Sequence, residues 1–299
     1  MKRLIFRGAG VAIATPFAAQ GVDLRRLSLQ VRWQIARGAA GIVVCGSTGE
    51  APTLSDDERE IVIGTAIEAA QGRVPVIAGT GANSTARTID WSLRAQRLGA
   101  DGLLIVTPYY NRPGQSGLVR HYVAVADKVD LPIILYNVPG RTGVNLLPET
   151  CLALSAHPNI AGLKEAHWDM AQLAQTAQRC SNALPIYAGS DEYMLCALAL
   201  GAVGMMTVIG NILPTEAAAL FSAFDRGDIA AARTLYLRLL PMMGLLSAAS
   251  NPRPLKAAMA MLGLDTGQLR LPLTDVSDEL KGRIEAELKR LGLELGGDL

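Results

Sequence analysis

The stretch Gly41-Ile42-Val43-Val44-Cys45-Gly46-Ser47-Thr48-Gly49-Glu50, followed shortly by Leu54-Ser55-Asp56-Asp57-Glu58, reads as one complete strand, turn and helix start. From Ile42 to Cys45 the residues are apolar in succession rather than alternately, the pattern of a parallel strand covered on both faces. The glycine-rich turn ends the run. Ser55 with three acids behind it then supplies a helix cap and places negative charge at the positive end of the helix dipole. Seven further runs share this character, at residues 10–15, 74–79, 102–107, 132–137, 160–164, 185–189 and 203–208. Segments of helical length lie between them, at 24–37, 55–71, 84–98, 117–128 and 169–180 among others. Eight such units predict an α/β fold of the closed (β/α)8 TIM barrel type rather than an open sheet. The barrel is expected over residues 1–225. Residues 226–299 exceed what one barrel helix needs and predict a C-terminal helical appendage packed on the barrel; helices are expected at 214–226, 229–240 and 255–262.

With 299 residues, 50% apolar and 18% charged, the chain can bury a large core. Its 28 basic and 27 acidic residues leave a net charge of +1, so no electrostatic footprint for nucleic acid or an anionic membrane is expected. Cys45, Cys151, Cys180 and Cys196 lie far apart without a C-x-x-C spacing, which predicts reduced thiols and a cytoplasmic location. Residues 1–20 begin like a secretory signal, with Lys2 and Arg3, but Arg7, Gly8 and Gly10 interrupt the apolar stretch. Residues 193–215 carry no charge over a length that could span a bilayer. Gly201, Gly204, Gly210, Asn211 and Pro214 divide them into a buried helix, a turn and a short strand, so no membrane span is expected.

A barrel of this kind places its chemistry at the C-terminal ends of its strands. Lys164 ends the sixth run. Pointing inward it loses hydration, which disfavours the ammonium form and leaves a nucleophile that condenses with carbonyls as a Schiff base; the alternative is a buried pair with Glu165. Tyr136 ends the fifth run, either as a proton donor and acceptor or as a core residue with its hydroxyl satisfied by backbone. Arg141, in the turn Pro139-Gly140-Arg141-Thr142, either grips a carboxylate with two prongs or faces solvent. Ser47 and Thr48 are hydroxyls flanked by glycines, suited to a carboxylate or phosphate and equally to an ordinary turn. Gly79-Thr80-Gly81 lacks the third glycine of a dinucleotide fingerprint, and no phosphate-binding loop of the Walker type is present. His121, His157 and His167 stand apart from one another and read as surface or helix residues, so neither a metal nor a cofactor is expected.

These motifs together resemble the dihydrodipicolinate synthase family, within the pyruvate-dependent aldolases that include N-acetylneuraminate lyase. The resemblance runs from Ala14-Thr15-Pro16-Phe17 through Gly46-Ser47-Thr48-Gly49-Glu50, Thr107-Pro108-Tyr109-Tyr110, Tyr136-Asn137-Val138-Pro139-Gly140-Arg141-Thr142-Gly143 and Gly162-Leu163-Lys164-Glu165. It ends in Asn251-Pro252-Arg253-Pro254-Leu255-Lys256 and Leu269-Arg270-Leu271-Pro272. It implies that Lys164 forms a Schiff base with pyruvate while Tyr136 moves protons in a relay with Ser47 and with Tyr110 of a neighbouring subunit. Thr48 and the Met206 backbone would hold the pyruvate carboxylate, and Arg141 the carboxylate of L-aspartate 4-semialdehyde. The implied partners are these small molecules and further copies of the chain, in a homotetramer built as a dimer of dimers. Ser47 stands where the synthases usually carry threonine and the lyases serine, and Gly189-Ser190-Asp191-Glu192 departs from the usual synthase stretch. Arg141 favours the synthase; the alternative is a lyase or 2-keto-3-deoxy sugar-acid aldolase. In lysine-inhibited relatives an intersubunit cleft supplies histidines and a glutamate. The matching positions here are Ala51, Pro52, Asp56, Arg59, Asn83, Arg87 and Tyr109, with arginines at 59 and 87 in place of a histidine and the glutamate, which implies insensitivity to lysine.

Overall fold

The computed structural model describes residues 4–180 and 183–297. Eight parallel strands close on themselves in chain order: β1 (Gly8–Ala12), β2 (Gly41–Val44), β3 (Val76–Gly79), β4 (Gly102–Val106), β5 (Ile133–Asn137), β6 (Ile160–Glu165), β7 (Ile186–Ala188) and β8 (Gly204–Thr207), the last pairing with β1. Side chains alternate across each strand. Val43, Ile77, Leu104, Ile134 and Tyr136 enter the lumen, where they cluster with Phe6, Tyr187 and Met206. Ile42, Val44, Ala78, Leu103, Ile105, Ile133 and Leu135 belong to a separate cluster under the surrounding helices. Burial on both faces is why these strands read as continuous apolar runs.

The first strand begins at Gly8 rather than at residue 10, and ends at Ala12 rather than at 15. A Cβ added at Gly10 would lie 2.6 Å from the Phe6 ring, which stacks on Tyr187 with centroids 4.6 Å apart and fills the floor of the barrel. The glycines that interrupt the hydropathy pattern therefore admit that ring. The Tyr187 hydroxyl donates to the Phe6 carbonyl at 2.9 Å.

Helices α1 (Leu24–Ala36), α2 (Asp56–Ala70), α3 (Thr85–Leu98) and α4 (Gln115–Ala126) follow the first four strands. The capping box anticipated at Ser55 is present, with Ser55 and Glu58 exchanging hydrogen bonds at 3.0 and 3.1 Å. After β5 come the single turn α5 (Pro139–Thr142) and α6 (Pro148–Ser155), the latter too short to have been read from periodicity. Then follow α7 (Met170–Cys180), α8 (Met194–Ala199), α9 (Pro214–Asp225), α10 (Ile229–Ser247), α11 (Arg253–Met261) and α12 (Asp278–Arg290). Residues 193–215 resolve into α8, a turn and β8 with the start of α9, as the glycines and the proline imply.

Helix α10 continues past the expected end at residue 240. Pro241 forfeits one ladder hydrogen bond, yet Met242, Met243, Leu245 and Leu246 beyond it are buried, and their burial carries the helix on. Among the described residues it is the one helix long and apolar enough to cross a membrane by length and composition; it packs against α9, α11 and α12. His121, read as a surface or helix residue, lies on helix α4 and is buried there: it is 6% exposed, bonds Thr85 Oγ1 through Nδ1 at 2.9 Å, and burial pushes its pKa down to about 4.

Candidate active site

The register of the β5–β6 ladder sets Tyr136 directly beside Lys164 and Asn137 beside Glu165. Because neighbours across a ladder share a face, Tyr136 and Lys164 both turn into the lumen. The Lys164 Nζ stands 4.3 Å from the centre of the Tyr136 ring, and both residues are about 5–6% exposed. Glu165 takes the opposite face. Its oxygens accept from Asn137 Nδ2 at 3.0 and 3.1 Å and from the His167 amide at 2.8 Å, and burial pushes its carboxyl up to about 7. The alternation of the strand thus separates the two neighbours that sequence alone could have paired.

A cavity of about 340 Å³ opens above the strand ends, lined by Ser47, Tyr136, Val138, Arg141, Thr142 and Asn251 among others. Lys164 does not itself line it; its amine stacks on the tyrosine that does. Met206 is 1% exposed on β8 in the same lumen cluster as Tyr136. Asp191, 9% exposed after β7, lies where the Lys164 charge bears on it, although no role was expected of it. Its Oδ2 accepts from the Val208 and Ile209 amides at 3.0 and 2.6 Å, tying the loop after β8. Burial raises its pKa, with the Lys164 charge among the opposing effects.

Ser47 and Thr48 sit on the turn after β2. A Cβ on Gly79 of the adjacent strand would lie 2.1 Å from the Cys45 carbonyl oxygen, so only glycine lets this turn approach β3 so closely. Thr48 is 4% exposed, and its Oγ1 accepts from Asn251 Nδ2 at 2.9 Å. Arg141 stands at the exposed rim on α5, with Nη2 donating to the Asn251 carbonyl at 3.3 Å. Asn251 therefore joins the two residues assigned to carboxylates. The only sequence signal for it was its place in the Asn-Pro-Arg-Pro stretch before α11.

Tyr110 does not join this group within the chain. It is 88% exposed, with a left-handed backbone of φ 71°, while Asn111 on one side donates to the Asn83 carbonyl at 2.8 Å. The residues of the implied lysine cleft behave differently. Arg59 is 7% exposed, lies 3.8 Å over the Trp91 ring and donates to the Ala51 carbonyl at 2.6 Å. The Asp56 carboxylate is taken up by Arg87 at 3.0 Å and by Trp91 Nε1 at 3.1 Å.

A barrel that seats a lysine amine against a tyrosine at its catalytic end, with an arginine at the rim, has the arrangement of a class I, Schiff-base aldolase. Residues 5–291 match the dihydrodipicolinate synthetase family, and the chain belongs to that family. The 4-hydroxy-tetrahydrodipicolinate synthase of Thermoanaerobacter sp. (strain X514) is 43% identical over 290 residues, covering 97% of this chain and 98% of that protein. The dihydrodipicolinate synthase structure from Aquifex aeolicus superposes with a TM-score of 0.96 at 38% identity, over 98% of this chain and 100% of that one. A monomeric dihydrodipicolinate synthase variant superposes with a TM-score of 0.95 at 38% identity, over 97% and 98% of the respective chains.

Proposed function

We propose that this chain condenses pyruvate with L-aspartate 4-semialdehyde to give 4-hydroxy-tetrahydrodipicolinate, a step of lysine and diaminopimelate biosynthesis in the cytoplasm. The observation that carries the reading is the Lys164 amine over Tyr136 in the lumen, beneath a rim that holds Arg141. The amine adds to the pyruvate carbonyl and water leaves, giving an imine; loss of a methyl proton gives the enamine. The enamine carbon attacks the aldehyde, whose oxygen takes up a proton. The semialdehyde amine then attacks the imine carbon and releases Lys164. Tyr136 carries the protons in both directions, with Ser47 and the Tyr110 of a second subunit completing the relay. Thr48 and the Met206 backbone hold the pyruvate carboxylate. One feature suits an amino-acid electrophile: Arg141, exposed at the rim of the cavity, meets its carboxylate.

Pyruvate assayed with the semialdehyde, in parallel with cleavage of sialic acid and of keto-deoxy sugar acids, tests the assignment. Turnover is expected with the semialdehyde alone, and preferred cleavage of a sugar acid would move the enzyme to the lyases. In Arg141→Ala, kcat/KM for the semialdehyde is expected to fall about 10–200-fold, the loss of a charge-assisted pair of about 1.5–3 kcal/mol. Borohydride trapping of the pyruvate imine should persist in that variant; equal damage to both steps would mark Arg141 as structural.

Lysine at millimolar concentration is expected to leave the rate unchanged. Its ammonium groups would meet the buried Arg59 guanidinium and an Asp56 already bonded to Arg87 and Trp91. An inhibition curve in a lysine titration would show that the remaining polar groups suffice.

A further inference from the structure

The turn that carries Ser47 and Thr48 is tied to the C-terminal helices by a wholly buried ion pair. Glu50 closes that turn in a left-handed conformation, φ 52°, and its amide donates to the Ser47 carbonyl at 3.2 Å. A non-glycine residue keeps such a backbone only where its surroundings enforce it. Here the side chain is the enforcing part. One Glu50 oxygen lies 3.0 Å from Lys256 Nζ, both side chains having no exposed surface, and the other accepts from the Arg270 amide at 3.1 Å. The Lys256 amine in turn donates to the Gln268 carbonyl at 2.6 Å and lies 4.1 Å over the Phe17 ring. Asp265, the other acid whose charge bears on Lys256, itself accepts from the Gly267 amide at 2.8 Å and from Gln30 at 3.3 Å. Five residues before Lys256, Asn251 reaches the Thr48 hydroxyl. One helix start therefore holds the turn at two points.

Burying two full charges stabilises a fold no better than a well-packed apolar pair would, and their retention is accounted for when they specify a geometry. We propose that Lys256 is a positioning residue for the reaction: through Glu50 it sets the turn that presents Ser47 and Thr48 to pyruvate. This rests on the roles given to those hydroxyls above. Lys256 does not line the cavity, and Glu50 lines it without exposed side-chain surface, so the effect of the pair passes through the backbone of residues 47–50.

The test compares wild type with Lys256→Met, Glu50→Gln and the double variant, reading thermal midpoint, both KM values and kcat. In Lys256→Met the pyruvate KM is expected to rise about tenfold with a fall in kcat, while the semialdehyde KM moves much less. The double variant removes both charges of the pair and leaves the buried Asp265 with the Gly267 amide, Gln30 and Arg26, so its thermal midpoint is expected to lie nearer wild type than that of Lys256→Met while the pyruvate KM stays high. That split is one a merely structural pair would not produce. Recovery of both quantities in the double variant, or an unchanged pyruvate KM in Lys256→Met, overturns the positioning role. If Lys256→Met fails to fold, the double variant carries the same comparison. Borohydride trapping of pyruvate on Lys164 in the wild type separates the two levels. Without an adduct there, the assigned reaction falls and this proposal with it; with an adduct and full recovery in the double variant, only the positioning role falls.

Discussion

Lys164→Arg is expected to reduce turnover to background, and borohydride with pyruvate should label the wild-type chain at Lys164 and leave the variant unlabelled. The guanidinium retains the positive charge but does not condense with a carbonyl, so the substitution separates covalent catalysis from simple electrostatic attraction. The position is 5% exposed in a packed lumen, so the thermal midpoint must be read alongside the rate, to distinguish a lost nucleophile from a lost fold. A peptide map with the adduct on another lysine, or with none in the wild type, would remove the imine mechanism altogether. An acid or base assisting the same chemistry would leave a measurable residual rate on substitution, whereas loss of the atom that forms the bond should not.

The second large effect concerns a residue that in its own chain touches no part of the site. Tyr110 is 88% exposed on a left-handed backbone, an arrangement that presents the ring outward. If the ring completes the relay of a neighbouring subunit, Tyr110→Phe should lower kcat by about 10²–10⁴-fold, the usual range for a lost proton-transfer group. Mixing Tyr110→Phe with Lys164→Arg subunits then produces hybrids in which one site receives both an intact lysine and an intact tyrosine. At a one-to-one mix this restores about a quarter of the wild-type activity, since half the pairs are hybrids and each has one complete site. Subunit exchange is verified by mass. Exchange without recovery would mean that each site is built from a single chain, and sedimentation of the wild type would then show whether a monomer is the active form.

Most of the residues proposed for the site lie within a few residues of a strand end, which is why local pattern could point to them. The apolar run at 160–164 ends in a lysine, the run at 132–137 contains Tyr136 and leads into the turn with Arg141, and the run at 41–45 opens onto Ser47 and Thr48. In a barrel, proximity to a strand's C-terminal end is proximity to the site, so local pattern was enough. The same logic failed at β1. There the residues that matter are glycines admitting Phe6, a packing partner that no periodicity announces. It also failed at α10, where apolar burial beyond Pro241 outweighs the local cost of the proline.

The strand–turn–helix period, hence the barrel, and the residue types at the strand ends are local properties of the chain. Both follow from steric and hydropathic rules that act over a few neighbours. Assembly of the barrel is what stacks Lys164 on Tyr136 while Glu165 turns away, because the direction of each side chain is set by strand register. It alone brought Asn251 onto Thr48 across 203 residues and Lys256 onto Glu50. Such contacts depend on how closure of the barrel places the C-terminal helices, and a contact between distant segments leaves no period in the chain.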